Sequence, residues 1–340
     1  GYISAYYLDT GELAWRFYTV PNPKAELDEH PELAIARKTW SKDARWEFGG
    51  GGTVWDSMVY DPELNWVYIG VGNGSPWPAW LRSPGGGDNL YLSSILALDS
   101  DSGRLQWHYQ TTPGESWDYT ATQHMILIER VIAGKKRKLL MQAPKNGFFY
   151  LLDRETGELI SAQKYTQANW ADQIDLNTGR PVRDDNSSYQ NTPQLIWPSI
   201  AGGHNWQPMS YSEQTGLVYI PVLETPSEYQ VAAGKQFHAD SINALARVDD
   251  KSTEAKDFNG LLGDGKPAIY RSVLKAWDPL QQKLIWSSAP QPWWSGGVLA
   301  SAGGVVLQGG VDGTFKAYVA VAGGNLRCLS PGWCIRRGPH

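Results

Sequence analysis

The sequence is poor in several features that would have pointed to particular functions. Its 340 residues include two cysteines, Cys328 and Cys334. Their C-x5-C spacing, with no histidine following, fits neither covalent haem attachment nor a zinc site. No C-x-x-C-H stretch occurs anywhere, so any haem c would belong to a domain outside this chain. The 30 Lys and Arg are outnumbered by 35 Asp and Glu, for a net charge of −5, and form no basic stripe. Nucleic acid is therefore not an expected partner. No apolar run approaches the roughly 20 residues that a spanning helix needs, so no transmembrane segment is expected. Long stretches with a 3.6-residue period are few, which argues against a helical fold. A hydrolase is disfavoured, because there is no G-x-S-x-G elbow, no H-E-x-x-H helix, and the six histidines are scattered. The chain begins at Gly1, close to a strand pattern and with no signal-peptide pattern, and reads as a fragment or a processed chain.

Tryptophan and glycine are abundant, at 17 and 36 residues. They fall in a recurring phrase: AYYLDTGELAW (5–15), ALDSDSGRLQW (97–107), LLDRETGELIS (151–161) and AWDPLQQKLIW (276–286). The frame is a strand, an Asp, a turn closed by glycine, and a second strand that usually carries a tryptophan. Asp and Gly supply the turn chemistry. The flat indole is suited to wedging between stacked sheets. One such unit cannot cover both its faces, but units stacked around an axis can. Further alternating pairs occur at 58–72, 211–222 and 298–318. The expected fold is an all-β propeller, with roughly five or six blades' worth of chain at about 40–50 residues per blade. The polar stretches 21–48 and 223–268 are expected to be loops on one face. The frame fails after Tyr318, so the reading divides the chain into a propeller portion, 1–318, and an atypical tail, 319–340.

Four consecutive glycines, Gly49 to Gly52, stand just before Thr53 and Trp55. Such a run lets the backbone bend freely or lets something approach it closely. Trp55 could then be ordinary core or the floor of a site for a flat ligand. The other candidates have plain readings too. Asn73 could be a turn residue between glycines, Asp118 a surface turn acid, and Lys145 a solvated lysine before Asn-Gly. Asn205 and Trp206 could be loop residues.

Five ordered motifs weigh against those plain readings: GGTVWDSMVYDP, GVGNGSPW, ESWDYTATQ, APKNGFFYLLDRETGEL and GGHNWQPM. In these, and over nearly the whole stretch from Gly1 to Tyr318, the chain resembles the pyrroloquinoline-quinone (PQQ) dependent alcohol dehydrogenases, eight-bladed quinoproteins, and particularly their quinohaemoprotein branch. The resemblance implies that Trp55 is a stacking floor for PQQ and that Thr53 bonds one of its carboxylates. It implies Asn73 and Asp118 as ligands of Ca²⁺, with Asp118 also the catalytic base. Lys145 would reach the quinone oxygens, and Asn205 and Trp206 would close the site. It further implies a small alcohol as substrate, a cytochrome c-type or artificial electron acceptor, and a periplasmic location.

The chemistry asks for these residue types. A hard cation takes oxygen ligands and polarises a carbonyl, a carboxylate removes a proton, and an ammonium stabilises developing negative charge. Relatives that use lanthanides carry an extra carboxylate two residues after the catalytic aspartate. Here that residue is Thr120, which favours calcium. The family's calcium-site glutamate and its pair of adjacent cysteines precede the point that matches Gly1. The alternative is a propeller without cofactor, acting as a protein- or glycan-binding module. Convergence of the polar candidates from different blades would discriminate against it.

Overall fold

The structure, a computed structural model, describes all residues except 25, 27, 29, 233, 235–242, 251–270, 292–293, 330–332 and 336–340. Every recurring phrase forms an antiparallel pair. The first is Tyr2–Tyr6 with Leu13–Tyr18. Blade I follows, with strands Met58–Asp61, Trp66–Gly70, Ser94–Asp99 and Leu105–Gln110 in that spatial order. Blade II is Met125–Ile132, Lys135–Gln142, Phe148–Asp153 and Leu159–Lys164. Blade III is Ser210–Ser212, Leu217–Leu223, Ser272–Asp278 and Lys283–Ser287. Blade IV is Ser295–Ala300, Val305–Gly310, Phe315–Val319 and Asn325–Leu329, with Trp333–Ile335 paired at its edge. Of the stretch 319–340, residues 319–329 and 333–335 are described; the rest lies outside the described residues.

The described residues thus form four blades preceded by one hairpin, with smaller sheets in the connections, fewer blades than the five or six expected from length. Long connections between blades take up the difference. One holds the hairpin Ala171–Asp175 with Arg180–Arg183. The stretch 223–268 is also not simply a loop. Its strands Ser227–Val231 and Ala246–Asp250 join Gln194–Ile196 in a three-stranded sheet. The stretch 21–48 contains a helix, Glu32–Arg37.

Neighbouring blades are joined by one repeated contact. Trp15 Nε1 donates to Ser100 O at 2.9 Å, Trp107 Nε1 to Arg154 O at 3.0 Å, and Trp286 Nε1 to Ala320 O at 2.9 Å. In each case the indole covers the glycine of the next turn. A Cβ added to Gly103, Gly157 or Gly323 would come within 2.5, 2.7 or 2.6 Å of the ring. The turn aspartate prepares this surface: Asp99 and Asp153 accept backbone N–H groups of their own turns through Oδ1. At the last turn Val319 replaces the aspartate, yet Gly323 N still donates to Val319 O at 2.8 Å. Between blades II and III the tryptophan is replaced by Ser161 and the glycine by Gln282. There Gln282 Nε2 donates to Ser161 Oγ at 2.8 Å.

Gly157 and Gly134 have nearly the same backbone, φ +75° and +79°, but Gly134 has open space where its Cβ would lie. Gly157→Ala should therefore cost about 2–4 kcal/mol, from left-handed strain plus overpacking against Trp107, and Gly134→Ala only about 1 kcal/mol. Urea unfolding midpoints of the two variants test the difference.

Candidate active site

The glycine run is a backbone contact. Gly49 to Gly52 all have positive φ, between 73° and 86°. Gly50 and Gly51 pair with Ser75 and Gly74, Gly52 N donates to Asn73 O at 2.9 Å, and Gly72 N to Thr53 O at 3.0 Å. A Cβ on Gly51 would stand 2.3 Å from Asn73 O. The glycines thus let the segment carrying Thr53 and Trp55 lie directly against the segment carrying Asn73. Asn73 turns Nδ2 to Gly74 O at 3.0 Å. Its Oδ1 has no hydrogen bond among the described residues.

The connection from blade I to blade II carries Asp118, in a left-handed conformation with φ +65°. The turn after the second strand of blade II carries Lys145. The two side chains meet, with Lys145 Nζ 3.0 Å from Asp118 Oδ2. Nζ also donates to Asp118 O at 3.1 Å and Ile200 O at 3.0 Å, so its three protons are all engaged. Burial pushes the Asp118 carboxyl above the usual range, and the Lys145 charge and hydrogen bond oppose the rise. Asp118 Oδ1 has no hydrogen bond among the described residues.

The segment before blade III closes on Lys145. Gly203 N donates to Lys145 O at 2.9 Å, and a Cβ on Gly202 would stand 2.4 Å from Lys145 Cγ. Asn205 is buried, with Nδ2 donating to Ala201 O at 2.7 Å. Trp206 is 55% exposed and Trp55 43% exposed. They are the two exposed tryptophans among the described residues whose burial is defined. Thr53 is exposed beside Trp55.

Two buried residues escaped the sequence reading. Glu115 accepts N–H groups from Trp117, Tyr119 and Gly74, at 2.5, 2.9 and 3.2 Å. Burial pushes its carboxyl up to about 7, with the Arg82 charge opposing. Arg82 donates to Asn89 Oδ1 and to the carbonyls of Pro76, Trp77 and Glu115. The available signal was weak: an acid three residues before Asp118 in a loop otherwise reads as solvated.

This arrangement can be set against known proteins. The family model for the β-propeller domain of glucose, ethanol and alcohol dehydrogenases that use PQQ matches residues 1–169. The quinohemoprotein alcohol dehydrogenase ADH IIB of Pseudomonas putida is 53% identical over 95% of this chain and 45% of its own. The chain belongs to the quinoprotein alcohol dehydrogenase family. The solved quinohemoprotein alcohol dehydrogenase of Comamonas testosteroni superposes with a TM-score of 0.86 at 42% identity, covering 96% of this chain and 48% of that one. A europium-containing methanol dehydrogenase gives 0.82 at 32% identity, covering 96% and 56%. The chain therefore spans about half the length of the relatives it matches.

The residues of this quinoprotein chain suit the family's cofactor. Trp55 offers an exposed flat face, and Asn73 Oδ1 and Asp118 Oδ1 are unengaged oxygens of the kind a hard cation takes. Among the described residues no three His, Cys, Asp or Glu side chains are grouped to hold a metal alone. A cation here would need oxygens from elsewhere, and an anionic quinone carries them.

Replacing Lys145 with Met removes the charge that opposes the upward shift of Asp118. A buried acid whose folded pKa exceeds its unfolded value stabilises least when ionised. Its contribution is complete below the unfolded value, near 3.9, and is lost as pH rises through the folded one. The melting-temperature gap between Lys145→Met and wild type should therefore widen from pH 4 to pH 7. A pH-independent gap would contradict the pairing.

Proposed function

We propose that this chain carries the PQQ- and calcium-binding part of an alcohol dehydrogenase, with Asp118 as the base. The observation that carries this reading is the mostly buried Lys145–Asp118 pair, 3.0 Å apart. It is formed from two loops chosen on sequence grounds and lies among loops with two unengaged oxygens. The chemistry PQQ would supply when bound is that of an electrophilic acceptor for the hydride of the alcohol carbon. Asp118 takes the hydroxyl proton on a carboxylate oxygen. Lys145, 3.0 Å from Asp118 Oδ2, supplies positive field. Asn73 and Asp118 are the calcium ligands this chain offers, Trp55 and Thr53 bind the ring system and a carboxylate, and Asn205 and Trp206 border the site. Lys145 would exchange one present partner for a quinone oxygen.

Calcium is preferred to a trivalent ion because Thr120 supplies no carboxylate. Its buried hydroxyl is engaged with Thr122 and Gln123. Among the described residues no helix is long and apolar enough to cross a membrane. A periplasmic location and a cytochrome c-type acceptor fit the family resemblance, with any haem c on another domain.

Tryptophan fluorescence titrated with PQQ, with and without Ca²⁺, tests the reading. Saturable, calcium-dependent quenching is expected. Trp55→Ala should weaken PQQ binding about fivefold, the equivalent of roughly 1 kcal/mol of stacking. Asp118→Asn should retain most PQQ binding while abolishing dye-linked alcohol oxidation by the whole protein. Near-wild-type turnover in that variant would remove the base assignment.

A further inference from the structure

Asp118 and Asn73 sit on different loops, and no direct bond joins their side chains. What joins the loops is the carboxylate of Glu115. Its Oε1 accepts from Trp117 N and Tyr119 N, the amides on either side of Asp118. Its Oε2 accepts from Gly74 N, the amide next to Asn73. Asp118 between those two amides holds φ +65°, a conformation that a residue with a Cβ adopts only when its surroundings impose it. Beyond Gly74 the link continues, through its pairing with Gly51, to the segment that carries Thr53 and Trp55.

We propose that Glu115 is a positioning residue, a three-point clamp that sets the Asp118 loop against the Asn73 segment. The inference rests on the functional reading for what the clamp serves, but not for the clamp itself. Two observations separate it from a merely buried acid. First, all three hydrogen bonds run to backbone amides that flank candidate site residues. Second, Arg82 does not occupy the carboxylate. Its guanidinium is spent on Asn89 Oδ1 and on three carbonyls, one of them Glu115 O. The Glu115 backbone is therefore anchored independently of its side chain. A glutamine has the same shape but only one acceptor oxygen. Its NH₂ would face an N–H donor, so either the Asp118 side or the Gly74 side of the clamp must open.

The test is residue-resolved hydrogen exchange on wild type, Glu115→Gln and a core control remote from the site, Val306→Ala, well below their melting temperatures. In wild type, the amides of Gly74, Trp117 and Tyr119 should share one protection factor within about threefold, because one carboxylate holds all three. In Glu115→Gln, at least one of the segments 72–76 and 116–121 should exchange at least about tenfold faster, while Val306→Ala leaves both unchanged. The Ca²⁺ half-saturation of PQQ quenching should rise about tenfold in Glu115→Gln alone. Unrelated protection factors in wild type would overturn the clamp even if the glutamine variant fails to fold. Exchange that rises in neither segment would do the same, as would equal loosening by Val306→Ala. If wild type shows no calcium-dependent quenching while either segment loosens in Glu115→Gln, the clamp stands and the functional reading falls. If wild type titrates with calcium and the glutamine variant is unchanged in exchange and half-saturation, the clamp alone falls.

Discussion

The structure depends on an indole lying flat on a glycine. Trp15, Trp107 and Trp286 each cover the turn glycine of the next blade and donate to a carbonyl in that same turn. The contact combines burial of a large apolar ring with satisfaction of its one polar atom. It also explains why the turn position is glycine twice over. The backbone needs positive φ, and the ring leaves no room for a Cβ. Tyr68 and Tyr219 add a second donor to two of the same carbonyls, those of Arg154 and Ala320. The repeat in the sequence is thus a record of how blades dock.

Strand direction then decides where chemistry can be placed. In a four-stranded antiparallel blade, the turn between the third and fourth strands lies at one end. The loop between the second and third strands lies at the other, with the connections between blades. The docking turns at 99–104, 153–158 and 319–324 occupy the first end. Asn73 and Lys145 sit in second-to-third loops, and Thr53, Trp55, Asp118, Asn205 and Trp206 sit in connections that enter a blade. All seven therefore fall at the opposite end. Side chains at that end are released from docking, and its loops can lengthen, as 71–93 does, without disturbing the indole contacts.

How much of this could be read in the sequence follows from range. The docking units were legible because Asp, Gly and Trp lie within eleven residues and their spacing repeats. The glycine run was legible as a close approach, but not what approaches. The partner is the Asn73–Ser75 backbone, and nothing local in 49–52 points to a segment over twenty residues away. The candidate site residues were proposed from ordered motifs, whereas the Lys145–Asp118 contact, 27 residues apart, exists only in the fold. Glu115 was missed because its partners are backbone amides, which leave no side-chain signature. The sheet containing Gln194–Ile196 was missed because one of its strands is three residues long, too short for alternation to register.

The interface between blades II and III shows how docking and chemistry trade places. Its indole–glycine contact is absent, and the Gln282–Ser161 hydrogen bond stands in its place. At their other end these blades meet at the candidate site. Gly203 N bonds Lys145 O, Gly202 abuts the Lys145 stem, and Lys145 Nζ bonds Ile200 O. Nearby, buried Lys275 donates to Tyr165 O and pairs with Glu224. Lys145 thus contributes to blade contact as well as to the field around Asp118. Between the two ends the blades share an apolar cluster, with Met141, Phe149 and Leu151 of blade II against Val218, Ile220 and Trp277 of blade III, so the site end adds polar contacts to an interface whose middle is packed as elsewhere.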